Sequence, residues 1–430
     1  MRIGLQAWGS EGDISPFTAL AAGLAGRGHD VTLAVTDNVG RDYQPLAERF
    51  GYRLVPVQGT SNPTPEEIRR VWREMIAVGN PIKQSELVMR YGFDPLEDVM
   101  FSAAKELCAS NDTVIGHFFV YPLRVAAEIA GKPMATLNVV HNCLPSAEIC
   151  PPGLPDLGKW AYALGWRLVQ TMVNRIFLPR VNRLRSRVGL RPNTDVMTQT
   201  WASDKLNIIG VSPSICRRPS DWSPNDVVTG FLNPPAGLSA EEPTVALEKF
   251  LHSGEPPIYF TFGSMMVEDL DYMQEVAAIW TDAVRRLGRR AIFQLPWHDL
   301  DAFKTDNQVC KVSRSSYKRI FPRCAAVVHH GGAGTTQVSL MAGCPSVIVA
   351  HMSDQFFWGA ELERLGVAGP TQRRKGLSGR GLAKALVKVL EAPSTAARAR
   401  QLGAALAQED GVSVAVEAIE RNLLPPLQRK

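Results

Sequence analysis

A glycine-rich loop between a predicted strand and a predicted helix is the segment of this sequence best suited to hold a ligand. The apolar run Ala325–His329 leads into His330, residues 331–334 read Gly-Gly-Ala-Gly, and Thr335 begins the next helix. Glycines let the backbone approach a ligand closely, and the free N–H groups at a helix N-terminus favour a phosphate. His330 and Thr335 can each donate a hydrogen bond to a phosphate oxygen. The alternative is a tight turn in which a threonine caps the helix.

A second turn of small polar residues follows another predicted strand in the same half of the chain. The strand Pro257–Phe262 ends at Gly263-Ser264, ahead of a helix. Because open α/β sheets bind ligands beyond the carboxyl ends of their strands, two such turns can hold a diphosphate from both sides. Asp269 and Asp271 have the spacing of a metal-binding pair, but no further ligand residues accompany them, and we interpret them as structural.

The elements that must position these turns alternate as strand and helix in both halves of the chain. In the first half, the apolar run 2–8 ends at Gly9, Pro16 opens a predicted helix over 17–25, and a strand follows over 31–36. The second half repeats this order, which predicts parallel sheets with helices on both faces. We expect two Rossmann-like, doubly wound domains facing a cleft. The predicted boundaries are residues 1–231 for the first domain, 232–243 for a linker, 244–409 for the second domain, and 410–430 for a C-terminal helix that packs back on the first.

Composition narrows the class of protein. The 430 residues are 45% hydrophobic and 21% charged, which is typical of soluble globular domains. The formal charge of +5, without a compact basic run or zinc-finger spacing, gives no reason to expect nucleic acid. Seven scattered cysteines without a C-x-x-C pair argue against a disulfide framework or a zinc site and favour a reducing cytosolic compartment. No signal peptide and no run of ~20 apolar residues is present.

The segment 325–359 resembles the nucleotide-sugar signature of the family-1 glycosyltransferases, which have the GT-B fold. His-Gly-Gly-x-Gly stands at 330–334 and Asp-Gln-x-x-Trp-Gly at 354–359, as in the sterol, glycopeptide-antibiotic and rhamnolipid branches. The resemblance extends to residues 262–265 and 9–13 and covers nearly the whole chain in order. The region 60–225 carries no specific motif.

The resemblance implies a donor site for a nucleotide-diphosphate sugar. It places the diphosphate near His330 and Thr335, the sugar hydroxyls near Asp354 and Gln355, and the base on an aromatic side chain. The donor-binding candidates are Gly263, Ser264, Trp297, His330, Gly331, Gly332, Ala333, Gly334, Thr335, Asp354 and Gln355. Three of these residues also have a structural interpretation: Asp354 and Gln355 could form a polar turn after a strand, and Trp297 could be a core residue. Ser316-Tyr317 stands where relatives carry Pro-His. UDP and dTDP both remain open as the nucleotide.

The resemblance also implies that Asp13 is the catalytic base, because the sterol and antibiotic branches have an aspartate at this place. A neutral alcohol is a poor nucleophile, so removal of its proton in the transition state helps. The alternative is that Asp13 caps the following helix. His117 and His141 are weaker candidates for the base. No cofactor and no metal are expected, since helix N-termini and side chains can stabilise the departing diphosphate.

The expected acceptor is a lipophilic small molecule held by the first domain. The acceptor-binding candidates, each of which could instead be core, are Gly12, Trp72, Met75, Phe118, Phe119, Tyr121 and His141. Arg180, Arg183 and Arg187 lie at helical spacing in a stretch without acidic residues. Such a stripe is either a solvated helix face or a weak peripheral contact with the inner face of a membrane.

The sequence therefore predicts an inverting transfer of a hexose, from UDP-glucose or a dTDP-sugar, to a hydroxyl of a sterol, terpenoid, lipid or polyketide. Two alternatives stand beside it: a nucleotide-sugar epimerase on the same fold, and a binding subunit without turnover. A dinucleotide oxidoreductase and a P-loop nucleotidase are disfavoured, because neither G-x-G-x-x-G nor the P-loop motif occurs at the required place.

Overall fold

The computed structural model describes residues 1–38, 40–59, 64–152, 154, 156–233, 243–266, 269–295, 299–313 and 315–423. The chain divides into two compact units. The first unit comprises Met1–Asn62, Ser85–Ala236 and Glu409–Lys430, and the second comprises Pro63–Gln84 and Gly237–Gln408. Residues 63–84 thus group with the second unit, which differs from the boundaries of 1–231 and 244–409 inferred above. Most of the expected linker, residues 234–242, lies outside the described residues.

The elements follow one another as strand and helix through both units. The β-strands are β1 (Arg2–Gly9), β2 (Asp30–Asp37), β3 (Arg53–Pro56), β4 (Thr113–His117), β5 (Met134–Asn138), β6 (Leu206–Ile209), β7 (Asp226–Val228), β8 (Ile258–Phe260), β9 (Ala291–Gln294), β10 (Val309–Val312), β11 (Ala326–His329), β12 (Ser346–Ala350) and β13 (Gln372–Arg373). The α-helices are α1 (Glu11–Gly26), α2 (Gln44–Phe50), α3 (Pro65–Val78), α4 (Pro81–Val88), α5 (Glu97–Ser110), α6 (Tyr121–Ala130), α7 (Lys159–Arg187), α8 (Val245–His252), α9 (Leu270–Leu287), α10 (Tyr317–Ile320), α11 (Ala333–Met341), α12 (Ser353–Arg364), α13 (Gly379–Leu390), α14 (Pro393–Leu406) and α15 (Gly411–Leu423). Short 3-10 or π turns cover Met89–Phe93, Asp94–Leu96, His141–Cys143, Met197–Trp201, Gly263–Met265, Leu300–Ala302 and Phe321–Arg323.

The first unit is built on a parallel sheet in the order β3-β2-β1-β4-β5-β6-β7. Its inner strands are buried on both faces, in keeping with the largely apolar sequence of β1 and the apolar centre of β2, Leu33–Val35. Leu5, Phe17 and Leu20 are fully buried in one core with Ile419 of α15. Helix α15 packs on α1 and β6, so a segment from the far end of the sequence completes this core.

The second unit is built on a parallel sheet in the order β10-β9-β8-β11-β12-β13. Trp280 of α9 is fully buried against Phe260, Phe262 and Phe293 of this sheet, with ring centroids 5.0–5.5 Å apart. The predicted architecture of two doubly wound α/β units is therefore confirmed. None of the described helices combines the length and the apolar character needed to cross a membrane.

Helix α1 begins earlier than the sequence predicts. We expected Pro16 to open it, yet the helix starts at Glu11. The reason is a capping box, in which the Asp13 carboxylate accepts hydrogen bonds from the N–H and the hydroxyl of Ser10 at 2.9 and 3.0 Å. Pro16 then lies inside the helix, where its missing N–H leaves the bond to the Gly12 carbonyl unformed.

Helix α3 is held to the rest of the second unit by an ion pair and by one buried side-chain amide. Arg73 donates two hydrogen bonds to Asp269, at 2.7 and 2.8 Å, and the Asp269 carboxylate also caps α9 by accepting from the N–H of Tyr272. The buried amide of Gln84 donates to the carbonyls of Met75 and His351, both at 2.9 Å. Asp269 therefore has a structural role, as the sequence analysis proposed.

Candidate active site

The two predicted phosphate-binding turns lie side by side in the second unit. Strands β8 and β11 are neighbours, and the sheet order reverses between them, so the residues that follow them meet at one edge. Gly263 has a φ of +53°. A methyl group added to it would lie 2.8 Å from Cε1 of His330 and 3.4 Å from Oγ1 of Thr335. Only glycine leaves this space between the two turns open.

His330 is a buried, neutral group within this space. Its side chain is 4% exposed, and burial lowers the pKa of the imidazole to about 4. Among the described residues, Nδ1 of His330 has no hydrogen-bond partner. A buried polar atom without a partner is costly, so a ligand that supplies one is expected. A methyl group on Gly332 would overlap Nε2 of His330, which explains why the loop needs glycine there.

Helix α11 directs its N-terminus at the same place. Gly332 is its extended N-cap, its first turn contains Ala333, Gly334 and Thr335, and no acidic side chain lies there. The first N–H groups of a helix have no partner inside the helix, and they carry the positive end of its dipole. Together with His330, this terminus can hold a dianionic group.

Gln355 adjoins the glycine loop, at the start of α12. Its Oε1 accepts from the N–H groups of His351 and Met352 at 2.7 and 3.3 Å. A methyl group on Gly331 would lie 3.3 Å from Cβ of Gln355. The carbonyl oxygen of this side chain thus caps α12. Asp354, one residue earlier, is partly exposed in the first turn of α12.

A polar network lies beneath Gly263 on the side of β9. Gln294 accepts hydrogen bonds from the hydroxyls of Thr261 and Tyr317 at 2.7 and 2.5 Å, and the N–H of Gly263 donates to Thr261 at 2.9 Å. Burial raises the pKa of Tyr317 to about 12, so its hydroxyl stays protonated. Tyr317 therefore supports the Gly263 turn. Trp297, the candidate for base stacking, lies outside the described residues.

His351 is a buried group near this site that the sequence analysis did not single out. Its Nδ1 donates to the carbonyl of Val349 at 3.0 Å, and its ring packs on Phe262 with centroids 4.7 Å apart. Burial lowers the pKa of His351 well below its ordinary value. The sequence could have indicated His351, because it directly follows the last residue of β12, just as His330 directly follows the last residue of β11.

In the first unit, Asp13 and His117 lie at the point where that sheet reverses its order. Strands β1 and β4 are neighbours, and Nε2 of His117 is 3.7 Å from Oδ1 of Asp13. Burial lowers the pKa of His117, an effect that the nearby Asp13 charge opposes. The N–H of Phe119 donates to Nδ1 of His117 at 3.4 Å, which assigns the ring proton to Nε2, facing Asp13. Asp13 is half-buried and is the group here able to accept a proton.

Known families match both ends of the chain. The model of the C-terminal domain of erythromycin biosynthesis protein CIII-like proteins matches residues 284–420, and that of the glycosyltransferase family 28 N-terminal domain matches residues 3–94. The chain is 29% identical to sterol 3-beta-glucosyltransferase UGT80B1 of Arabidopsis thaliana, over 99% of this chain and 69% of that protein. It is 30% identical to O-mycaminosyltylonolide 6-deoxyallosyltransferase of Streptomyces fradiae, over 98% of this chain and 97% of that protein. The chain belongs to the GT-B glycosyltransferases.

A solved structure agrees with this family at the level of the fold. Glycosyltransferase SsfS6 of Streptomyces sp. SF2575, complexed with thymidine diphosphate, superposes with a TM-score of 0.64 at 18% identity, over 98% of this chain and 99% of that one. This likeness confirms the predicted GT-B fold, and the 30% identity to the Streptomyces fradiae relative shows that the protein is an enzyme of the glycosyltransferase class.

The predicted acceptor residues of this glycosyltransferase separate into two groups. Phe118 and Phe119 join Trp201 in an aromatic cluster of the first unit, with ring centroids 5.2 and 5.3 Å from Trp201, and Phe119 is partly exposed. Gly12 lies in the first turn of α1, and His141 is buried in the 3-10 turn after β5. Trp8 and Phe177 complete the cluster, and the sequence analysis did not anticipate them.

The other acceptor candidates lie elsewhere than expected. Tyr121 is fully buried and its hydroxyl donates to the carboxylate of Glu97, which makes it a core residue and not a surface for a ligand. Trp72 and Met75 are buried on α3, which groups with the second unit. The Trp72 ring lies 6.4 Å from that of His351.

The arginines predicted to contact a membrane are engaged in ion pairs. Arg180 bonds Asp94 at 2.8 Å, Arg183 bonds Glu97 at 3.2 Å, and Arg187 bonds Asp98 at 2.7 Å. The acidic partners come from residues 94–98, outside the acid-free stretch that motivated the expectation. These charges are therefore largely neutralised within the glycosyltransferase.

Proposed function

We propose that this glycosyltransferase moves a hexose from a UDP- or dTDP-sugar to a hydroxyl of a lipophilic small molecule, with inversion at the anomeric carbon. The observation that carries the proposal is the meeting of Gly263, His330 and Thr335 at the N-terminus of α11, with Nδ1 of His330 buried and unpartnered among the described residues. Relatives named for sterol and tylonolide acceptors support a lipophilic acceptor. A structural neighbour that holds thymidine diphosphate supports this class of donor.

The donor diphosphate would lie between the turn after β8 and the loop after β11. There the first N–H groups of α11 and the neutral His330 imidazole can donate to its oxygens. These dipoles are fixed before the reaction, so they stabilise the negative charge that grows on the leaving diphosphate without reorganisation. We therefore propose catalysis without a metal ion. Nε2 of Gln355 and the carboxylate of Asp354 would bond the sugar hydroxyls.

Asp13 would act as the base towards the acceptor hydroxyl. Ser10 holds its Oδ2 through two hydrogen bonds, which fixes the carboxylate. As the hydroxyl oxygen forms its bond to the anomeric carbon, its proton passes to Asp13 and the bond to the diphosphate oxygen breaks. A single displacement from the opposite face inverts the configuration.

The test is transfer by the full chain in a chelating buffer. UDP-glucose or a dTDP-hexose is offered with a panel of sterols, terpenoids and polyketide aglycones, and products are followed by mass spectrometry. We expect one acceptor to gain the mass of one hexose, together with release of the nucleoside diphosphate. Donor conversion to an epimer without an acceptor product would favour the epimerase, and a strict requirement for added divalent metal would contradict the metal-free mechanism.

A further inference from the structure

Helix α7 carries a row of large apolar side chains on the protein surface. Trp160 is 80% exposed, Leu164 is 70% exposed and Leu168 is 45% exposed, and Leu157, just before the helix, is 57% exposed. Residues four apart lie on the same face of a helix. The three helical side chains therefore form one stripe over more than two turns. Large apolar side chains of this kind rarely lie together on a surface that faces water.

The inward face of α7 is already occupied by the protein itself. Tyr162 and Trp166 are buried, and the indole N–H of Trp166 donates to the carbonyl of Ile149 at 2.9 Å. A methyl group on Gly165 would lie 2.8 Å from Cγ of Pro151 and 3.1 Å from Cδ1 of Leu154, so these two side chains pack closely on the helix. The exposed stripe is thus additional to the side chains that fix α7 in the fold.

Basic side chains accompany the stripe. Lys159, Arg167 and Arg175 are exposed on this part of α7, and residues 159–191 contain no acidic residue. Within the described part of the chain, Arg167 and Arg175 form no ion pair, in contrast to Arg180, Arg183 and Arg187. Two acids lie near the stripe. Asp156 accepts hydrogen bonds from the hydroxyl of Tyr162 and the N–H of Gly158 at 2.7 and 2.9 Å, and Glu148, which interacts with the charge of Lys159, accepts from the hydroxyl of Ser220 at 2.7 Å.

We propose that this surface, the α7 stripe (Leu157, Lys159, Trp160, Leu164, Arg167 and Leu168), docks on the surface of an anionic lipid bilayer. An exposed tryptophan suits the boundary between headgroups and acyl chains, where its ring is apolar and its N–H remains hydrated. The leucines enter the acyl boundary, and the cations pair with anionic headgroups. The charge pattern favours a lipid surface over an apolar protein groove. The inference does not depend on the proposed reaction.

The experiment is sedimentation of the full chain with phosphatidylcholine vesicles that contain phosphatidylglycerol, and with vesicles of phosphatidylcholine alone. We expect binding to the anionic vesicles, and a loss of about tenfold or more in the partition coefficient when Trp160, Leu164 and Leu168 are all changed to serine. A Lys159→Gln, Arg167→Gln double variant should lose the preference for phosphatidylglycerol. Ile129→Ser, which removes a half-exposed apolar side chain of α6, is the matched control and should bind like the wild type.

A second measurement reports insertion directly. Vesicles with brominated acyl chains quench tryptophans that reach the acyl region, and Trp160→Phe should remove most of the quenching while leaving the thermal midpoint unchanged. Equal binding by the triple serine variant, or no binding by the wild type, overturns the proposal. A self-association that the triple variant abolishes, without vesicle binding by the wild type, also overturns it and assigns the stripe to a second copy of the chain.

Discussion

At the scale of single residues, Asp13 caps α1 and is also the base that we propose, two roles that the sequence presented as alternatives. One carboxylate oxygen, Oδ2, belongs to the capping box with Ser10, whereas Oδ1 faces Nε2 of His117 at 3.7 Å. An aspartate in the first turn of a helix interacts favourably with the N-terminal dipole. The capping contacts therefore stabilise α1 through one carboxylate oxygen and leave the other for the proposed proton transfer.

Replacement of Asp13 by asparagine separates these functions. The asparagine carbonyl can still accept the N–H of Ser10, so the fold should hold, while the proton acceptor is lost. We expect kcat on a working acceptor to fall by about 10²–10⁴-fold. UDP affinity, measured by calorimetry, should change little, because the proposed donor residues lie in the other unit.

Ser10→Ala is the control for the capping role, since it removes one hydroxyl donor and leaves the carboxylate in place. It should lower thermal stability slightly and keep most of the turnover. Near-normal kcat in the asparagine variant would refute the catalytic assignment, and a parallel loss of UDP affinity would indicate misfolding instead.

At the scale of elements, the proposed donor site depends on turns in which a side chain would fill the space left for the diphosphate. Gly263 combines a positive φ with a close approach to His330 and Thr335, whereas Gly288, the C-cap of α9, has a φ of +59° and no atom within 4 Å of an added methyl group. The two glycines thus share the backbone strain that alanine would introduce and differ only in what surrounds them.

This pair yields a matched prediction. Gly263→Ala and Gly288→Ala should each cost about 1 kcal/mol of stability from the left-handed backbone. Only Gly263→Ala should weaken UDP binding, by about tenfold or more, because its methyl group displaces the His330 imidazole. Calorimetry with UDP measures the second effect and thermal unfolding the first. Equal UDP affinity in the two variants would exclude Gly263 from the donor site.

The sequence predicted these turns because their chemistry is local: a strand, then glycines, then a helix. It mispredicted the start of α1, because the capping box of Ser10 and Asp13 outweighed the usual effect of a proline. It did not assign α3 to the second unit, because the bond from Arg73 to Asp269 spans 196 positions and no local pattern reports it. Tyr121 was misplaced for a similar reason, since its burial follows from packing on Phe93 and bonding to Glu97.

At the scale of the whole molecule, four buried histidines make stability depend on pH. Burial lowers the pKa of His117, His329, His330 and His351 in the folded protein, that of His330 to about 4. The unfolded chain protonates its histidines below about pH 6.5 and therefore binds more protons than the folded chain. Stability is thus fully present above about pH 6.5 and is lost as the pH falls towards 4.

The expected effect is measurable by urea unfolding. Between about pH 7.5 and about pH 5.5, the free energy of unfolding should decrease, with His330 alone contributing on the order of 1 kcal/mol. His330→Gln, which keeps a polar side chain without a titrating group, should reduce this slope, whereas His252→Gln, an exposed histidine of α8, should not. A free energy of unfolding that increases towards acid pH would contradict the burial of a neutral imidazole. The same pH dependence in His330→Gln as in the wild type would also contradict it.

The packing of α15 on α1 has a consequence for biosynthesis. The ribosome makes the larger part of the second unit, Gly237–Gln408, between β7 and α15, so the first unit cannot close its core while that part is being translated. During that interval, the surface of α1 that Val416 and Ile419 will cover remains open to solvent, as does the groove at Gly23 that receives Val412. Nascent chains should therefore recruit chaperones until residues 411–423 have left the ribosome. A messenger RNA that ends before the codons for α15 should yield a product that proteases remove quickly.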